Sequence, residues 1–181
     1  MKYQSVVSAV VRALAAETIN SAGGCDFEPK VQAARIPGEI SGKESAFLHD
    51  CWVFGRLHKA LTPEQWAALC AKYSTHLQRK HDSMMLLMNA VKSPAPKRFV
   101  ECATATWAFP KLPGMNGKRS TSVLPEGWYV LDNWDNDGRP QKTLERWRRD
   151  VRRDLERRVD EALMAAQEIL EPEGILAEQA A

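Results

Sequence analysis

Apolar residues recur every three or four positions through most of this chain, which gathers them on single helix faces, and the breaks fall at clusters of Pro, Gly and Ser. Residues 4–20 put Val7, Val10, Val11, Leu14 and Thr18 on one such face, ended by Asn20 and the Gly23-Gly24 pair. Residues 21–43 read as loop, with Pro29, Pro37, Gly38 and Gly42. A second helix runs from about Ser45 to Ala60, with Phe47, Leu48, Cys51, Trp52, Phe54 and Leu57 inward. The third has a written start: Thr62 as N-cap, Pro63 at the first helical position and Gln65 where a capping box closes, then Trp66, Leu69, Cys70 and Tyr73 along one stripe.

A fourth helix, from about Thr75 to Lys92, repeats Leu77, His81, Met84, Met88 and Val91. After the stiff Ser93–Pro96 turn, with Pro96 as first residue, a fifth helix turns Phe99, Val100, Ala103 and Trp107 inward. Residues 109–139 are rich in Pro and Gly and carry a short strand-like run from Trp128 to Leu131. Pro140 opens the last helix, where Leu144, Trp147, Val151, Leu155, Val159, Leu163, Ala166 and Leu170 recur at helical spacing until Pro172 and Gly174 stop it. The expected fold is therefore mainly α. It is one domain over 1–181, with a helical core at about 4–108, an irregular insertion at 109–139, a C-terminal amphipathic helix at about 140–171 and an acidic tail at 172–181.

Composition removes several classes. With 44% hydrophobic and 27% charged residues over 181 positions, the chain can bury a core, so disorder is not its main state. No apolar run is long enough to span a bilayer, and Arg12 and Glu17 interrupt the stretch where an export signal would need unbroken apolar residues. Cys25, Cys51, Cys70 and Cys102 are scattered without a CxxC pair, which fits reduced thiols in a cytoplasm better than a disulfide frame or a zinc ribbon.

Charge changes the picture more. The net value of +2 conceals blocks of opposite sign. Residues 72–119 hold nine basic side chains against two acidic; seven arginines lie between Arg146 and Arg158; residues 160–181 are acidic with no basic residue. Clustered Lys and Arg are what a polyanion responds to.

The helices from Thr62 to Trp107 have the form of a tri-helical, helix-turn-helix-like unit, whose last helix would lie in the major groove of duplex DNA. Its outward set would be Lys97, Arg98, Glu101 and Thr104, suited respectively to guanine edges or phosphates, to cytosine and to thymine methyls. Lys118 and Arg119 extend the basic block. A plain helical bundle with a basic solvated face fits the same residues, since a helix over 75–92 is long for the second helix of such a unit. In the last helix Arg148, Arg149, Arg152 and Arg153, with Arg146, Arg157 and Arg158, flank the apolar stripe and would grip a phosphate backbone; an acidic protein partner or a solvated face is the alternative.

Other constellations read as structural. Asn133, Asp135, Asp137 and Gly138 open like a calcium loop, but Leu144 stands where the closing Glu belongs, so an Asx-rich turn is expected. His81 reads as a core histidine, Met84, Met85 and Met88 as core filler. His49, His58 and His76 form no usual ligand pair, and no catalytic motif, metal site or cofactor loop is present, so the expectation is a non-enzyme without cofactor.

The run Leu61-Thr62-Pro63-Glu64-Gln65-Trp66-Ala67-Ala68-Leu69, continued by Ala71-Lys72-Tyr73, resembles the helix that opens the DNA-binding part of sigma-factor region four. It is also similar to the corresponding helix of small phage late-gene regulators, including Q-type antitermination proteins. That resemblance implies a phage-type transcription regulator that binds double-stranded DNA and contacts host RNA polymerase. The rival from the residues alone is an adaptor or inhibitor that docks an acidic partner through its arginines.

Overall fold

A computed structural model describes residues 3–21, 42–111, 123–135 and 137–177. Among them are six α-helices: α1 (Val6–Ser21), α2 (Gly42–Ala60), α3 (Pro63–Tyr73), α4 (Leu77–Ala90), α5 (Lys97–Ala108) and α6 (Gln141–Leu170). Two short 3-10 turns, Glu126–Tyr129 and Leu131–Trp134, precede α6. None of the described helices is long and apolar enough to cross a membrane.

The helix α3 sits at the centre. Its start is the capping box read from sequence: the Gln65 amide donates to Thr62 Oγ1 at 3.3 Å and the Thr62 amide to Gln65 Oε1 at 3.0 Å, satisfying two donors that a helix start leaves open. Five consecutive residues, Ala67 to Ala71, are buried, so every side of α3 is covered, and its small side chains let α1, α4, α5 and α6 approach closely. The spine is α6, whose 30 residues extend for about 45 Å at the helical rise. Its stripe of Leu144, Trp147, Val151, Leu155, Val159, Ala162, Ala166 and Leu170 is buried against the other helices. Phe99 of α5 is fully buried between Trp134 and Trp147, edge-on to both.

Several expected faces are rotated. On α1, Val7 and Val11 are exposed while Ala9, Ala13 and Ala16 are buried beside Val10 and Leu14, because close approach favours the small residues over the larger ones. On α2, Leu48, Cys51 and Trp52 face out and Val53, Leu57 and Asp50 face in. The buried Asp50 is matched by partners: it accepts from Tyr3 Oη at 2.6 Å and from Arg12 at 3.0 Å. Burial, then the bond to Asp50, pushes the Tyr3 hydroxyl far above its ordinary pKa. On α4, Leu77 and His81 are exposed and Met84 and Leu87 fill the core, so His81 is no core histidine; of the other methionines, Met85 is exposed and Met88 half-buried. The α4 N-cap is His76, whose Nδ1 accepts from the Arg79 amide at 3.3 Å. Pro96 caps α5 rather than opening it. The stripe of α6 passes through Ala162, leaving Leu163 half-buried at its edge.

The strand-like run from Trp128 to Leu131 is not a strand. It spans the two 3-10 turns, held by Trp134 Nε1 donating to Trp128 O at 2.7 Å and Asn133 Nδ2 to Gly127 O at 2.9 Å. At the expected Asx-rich turn Asp135 accepts the Arg139 amide at 2.9 Å and its guanidinium at 2.6 Å, and Gly138 takes a positive φ of +67°. Those bonds, the backbone one foremost, hold the Asp135 carboxyl below its ordinary pKa. After α6 the chain folds back. The Tyr3 amide donates to Ile175 O at 2.8 Å and the Ala177 amide to Tyr3 O at 2.7 Å, which pairs the two ends of the described chain in parallel.

Candidate nucleic-acid interface

Of the four residues expected to read bases from α5, Lys97 and Arg98 are exposed in its first turn and Glu101 is half-buried one turn on. Thr104 is fully buried, and its hydroxyl has no hydrogen-bond partner among the described residues. Thr104 therefore drops out of the expected base-reading face, and Glu101 is only partly exposed. Helices α3, α4 and α6 and the 3-10 turns enclose α5, with Cys102, Ala103, Ala105, Trp107 and Ala108 buried as well. With these sides covered, α5 offers a groove only Lys97, Arg98 and part of Glu101. Lys118 and Arg119 lie outside the described residues.

On α6 the arginines divide into two groups. Arg158 is the most enclosed: it donates to Asp154 at 3.0 Å, to Glu64 at 3.1 Å and to Ala90 O at 2.9 Å, so it ties α6 to the start of α3 and the end of α4. Arg157 is held between Asp154 and Glu161. Arg158 is structural, and Arg157 is neutralised on its own helix. One turn earlier the charges are not consumed. Arg153 meets Asp150 at 3.3 Å with both side chains largely exposed, and Arg152 stands 3.8 Å from Glu156, arrangements that contribute little in water. Arg146, Arg148 and Arg149 are exposed and form no ion pair among the described residues. At about 100° per residue, the five side chains from Arg146 to Arg153 fall within about half the helix circumference and within about 10 Å of axis.

Glu156, although 3.8 Å from Arg152, is engaged more closely elsewhere. It accepts from Lys72 Nζ at 2.7 Å and from Trp107 Nε1 at 2.9 Å. Burial raises its pKa, but those bonds outweigh burial and hold the carboxyl below its ordinary value. Lys72 also lies over the Trp107 ring at 5.2 Å. Nearby, Lys80 donates to Lys72 O at 3.1 Å, and burial, helped by the charge on Lys72, lowers its pKa to about 8. Of the acidic residues after Asp160, Glu161 is taken by Arg157 and Glu173 pairs with Arg56 of α2 at 3.1 Å. The fold-back therefore directs Glu173 to α2, away from the exposed arginines.

Arg148, Arg149 and Arg152 share the rim of a hollow of about 540 Å³, lined further by Thr106, Trp107, Tyr129 and Trp134. A second hollow, of about 640 Å³, brings Arg98 and Glu101 against Asp132, Asn133 and Trp128; Trp134 lines both. Arg98 therefore lines one hollow and Arg148, Arg149 and Arg152 the other. The aromatic residues of the insertion were not identified as site residues by the sequence reading. Their signal was the spacing of Trp128, Tyr129 and Trp134 opposite Trp107, which carries no chemistry until the 3-10 turns fold onto α5. No protein-family model matches the chain, and neither curated proteins nor solved structures yield a match.

Proposed function

We propose that this protein is a DNA-binding regulator of transcription that holds duplex DNA by its phosphate backbone, with the exposed arginine arc of α6 as the grip. The observation that carries the reading is the contrast within one helix: Arg158 is consumed by the fold and Arg157 is neutralised by two carboxylates of its own helix, while Arg146, Arg148 and Arg149 form no ion pair among the described residues. Guanidinium keeps its charge at any working pH and meets phosphate oxygens with parallel bonds, so such an arc is suited to a polyanion. Lys97 and Arg98 remain as the reachable contacts on α5. The regulatory role, the bacterial cytoplasm as its place and the contact with RNA polymerase rest on the resemblance of residues 61–73 to sigma region four and the Q-type antiterminators.

The burial of Thr104 favours one rival, an adaptor docking an acidic protein, because an adaptor needs no base-reading helix. Retention of a random-sequence duplex across salt concentrations separates the two. The DNA reading expects the logarithm of the binding constant to fall linearly with the logarithm of salt, and Arg148→Gln with Arg149→Gln to reduce that slope by about 1.8, at about 0.9 per phosphate contact. No retention at low salt, or a slope the double variant leaves unchanged, refutes it.

A further inference from the structure

Gripping a backbone needs only an exposed row of cations, yet Arg148, Arg149 and Arg152 stand on the rim of a hollow. Its volume of about 540 Å³ falls in the range of small-molecule sites and is several times what a bare phosphate would occupy. Charge at the rim is three guanidiniums against one carboxylate, Glu145. The other side is aromatic and its parts are fixed in place. Trp107 is anchored through its indole to Glu156, Trp134 through its indole to Trp128 O, and the Tyr129 hydroxyl donates to Phe109 O at 2.8 Å. Both indoles are more than nine-tenths buried and serve as wall. Tyr129 is half-buried and has ring area left to cover.

A duplex presents a convex row of phosphates with its bases stacked out of reach, so it leaves a concave aromatic space unused. A unit that carries an anion at one end and a flat ring at the other fills it. We propose that this hollow binds one unpaired nucleotide, with its phosphate held by Arg148, Arg149 and Arg152 and its base against Tyr129 in front of Trp107 and Trp134. The inference rests on the nucleic-acid reading of the arginines and specifies what they hold. The unit can be a free nucleoside monophosphate or an unpaired position in a strand, since the chemistry presented to the hollow is the same.

The test uses the full chain, titrated at low salt with inorganic phosphate, dAMP, a 12-nucleotide single strand and the matching duplex. Stacking of a base should make dAMP or the strand bind at least about fivefold tighter than phosphate. Binding of dAMP assigns the hollow to free nucleotides as well; binding of the strand without dAMP assigns it to an unpaired strand position. Thr106→Tyr fills the hollow without removing a cation and should cost tenfold or more on either nucleotide probe while duplex affinity stays within twofold. If circular dichroism shows that variant unfolded, Tyr129→Ala decides instead, with a loss of about fivefold on the nucleotide probe and none on inorganic phosphate. Nucleotide probes that bind no tighter than phosphate, or a folded variant that binds them unchanged, overturn the site. Nucleotide binding without salt-dependent duplex retention would keep the hollow and remove the backbone grip.

Discussion

Replacing Thr104 with Val tests both the packing of α5 and its exclusion from base reading. The Thr104 side chain is fully buried and its hydroxyl lacks a partner among the described residues. A buried hydroxyl left unsatisfied costs about 1–3 kcal/mol, whereas a methyl in the same space keeps the contacts and carries no desolvation penalty. Val and Thr have nearly equal helix propensities, so the backbone contributes little to the difference. Part of the gain is offset by imperfect fit of the new methyl, and a net stabilisation of about 1 kcal/mol is expected. For a chain of this length that is a rise in melting temperature of about 2–4 °C, readable by calorimetry or by circular dichroism at 222 nm. Duplex retention should be the same as that of the unmodified protein at every salt concentration. A loss of stability of about 1 kcal/mol or more would mean that the hydroxyl is bonded in solution, and sequence-dependent loss of DNA binding would mean that α5 is reachable after all.

Two further outcomes follow from the interior charges. Lys80 has a folded-state pKa of about 8 against an ordinary value of 10.5, so between those pH values the unfolded chain binds a proton that the folded one has released. Its contribution to stability therefore rises with pH from about 8 to 10.5, while the buried Cys70 thiol and Tyr3 hydroxyl, both raised, oppose it above about 9. The test is thus the difference between wild type and Lys80→Met in urea midpoints: that difference should rise across the window, and a flat difference contradicts the partly buried placement of Lys80. Arg158→Ala breaks charged bonds to Asp154, Glu64 and Ala90 O and should lower stability by about 1.5–3 kcal/mol, while the exposed Arg153→Ala should change it by less than about 0.5 kcal/mol. Equal effects of the two in thermal melts would show that Arg158 is not the structural one.

The helical class, the capped start of α3 and nearly all of the α6 stripe were legible because each is written locally, in a capping box or in one long period. The faces of α1, α2 and α4 were less so. Valine and leucine dominate any hydropathy reading, but α1 buries its alanines in place of Val7, α2 buries Val53 in place of Leu48, and α4 buries Met84 and Leu87 while Leu77 stays out, a choice set by how the adjoining helices lie. Asp50 illustrates the same limit, since a carboxylate enters the interior only because Tyr3 and Arg12 arrive from elsewhere in the chain. The site was half legible. The arginines announced themselves by density, but which of them remain available depended on Asp154, Glu64 and Ala90 being neighbours of Arg158 and not of Arg149. The aromatic wall was out of reach, because Trp107 and Trp134 are 27 residues apart and meet through turns that show no period.

The position of α6 also governs when this protein can fold. It is synthesised after α1–α5, yet it supplies a wall for α1, α2, α3 and α5, and the closing pair between Tyr3 and Ile175 joins the first described residue to nearly the last. At about 5–20 residues per second, α1, α3 and α5 wait for seconds outside the ribosome without the helix that covers them. A nascent chain halted before Val151 would lack the stripe from Val151 to Leu170 and leave wet the faces of α1 and α3 that it covers, so truncated products should be substrates for chaperones and proteases rather than partly working proteins.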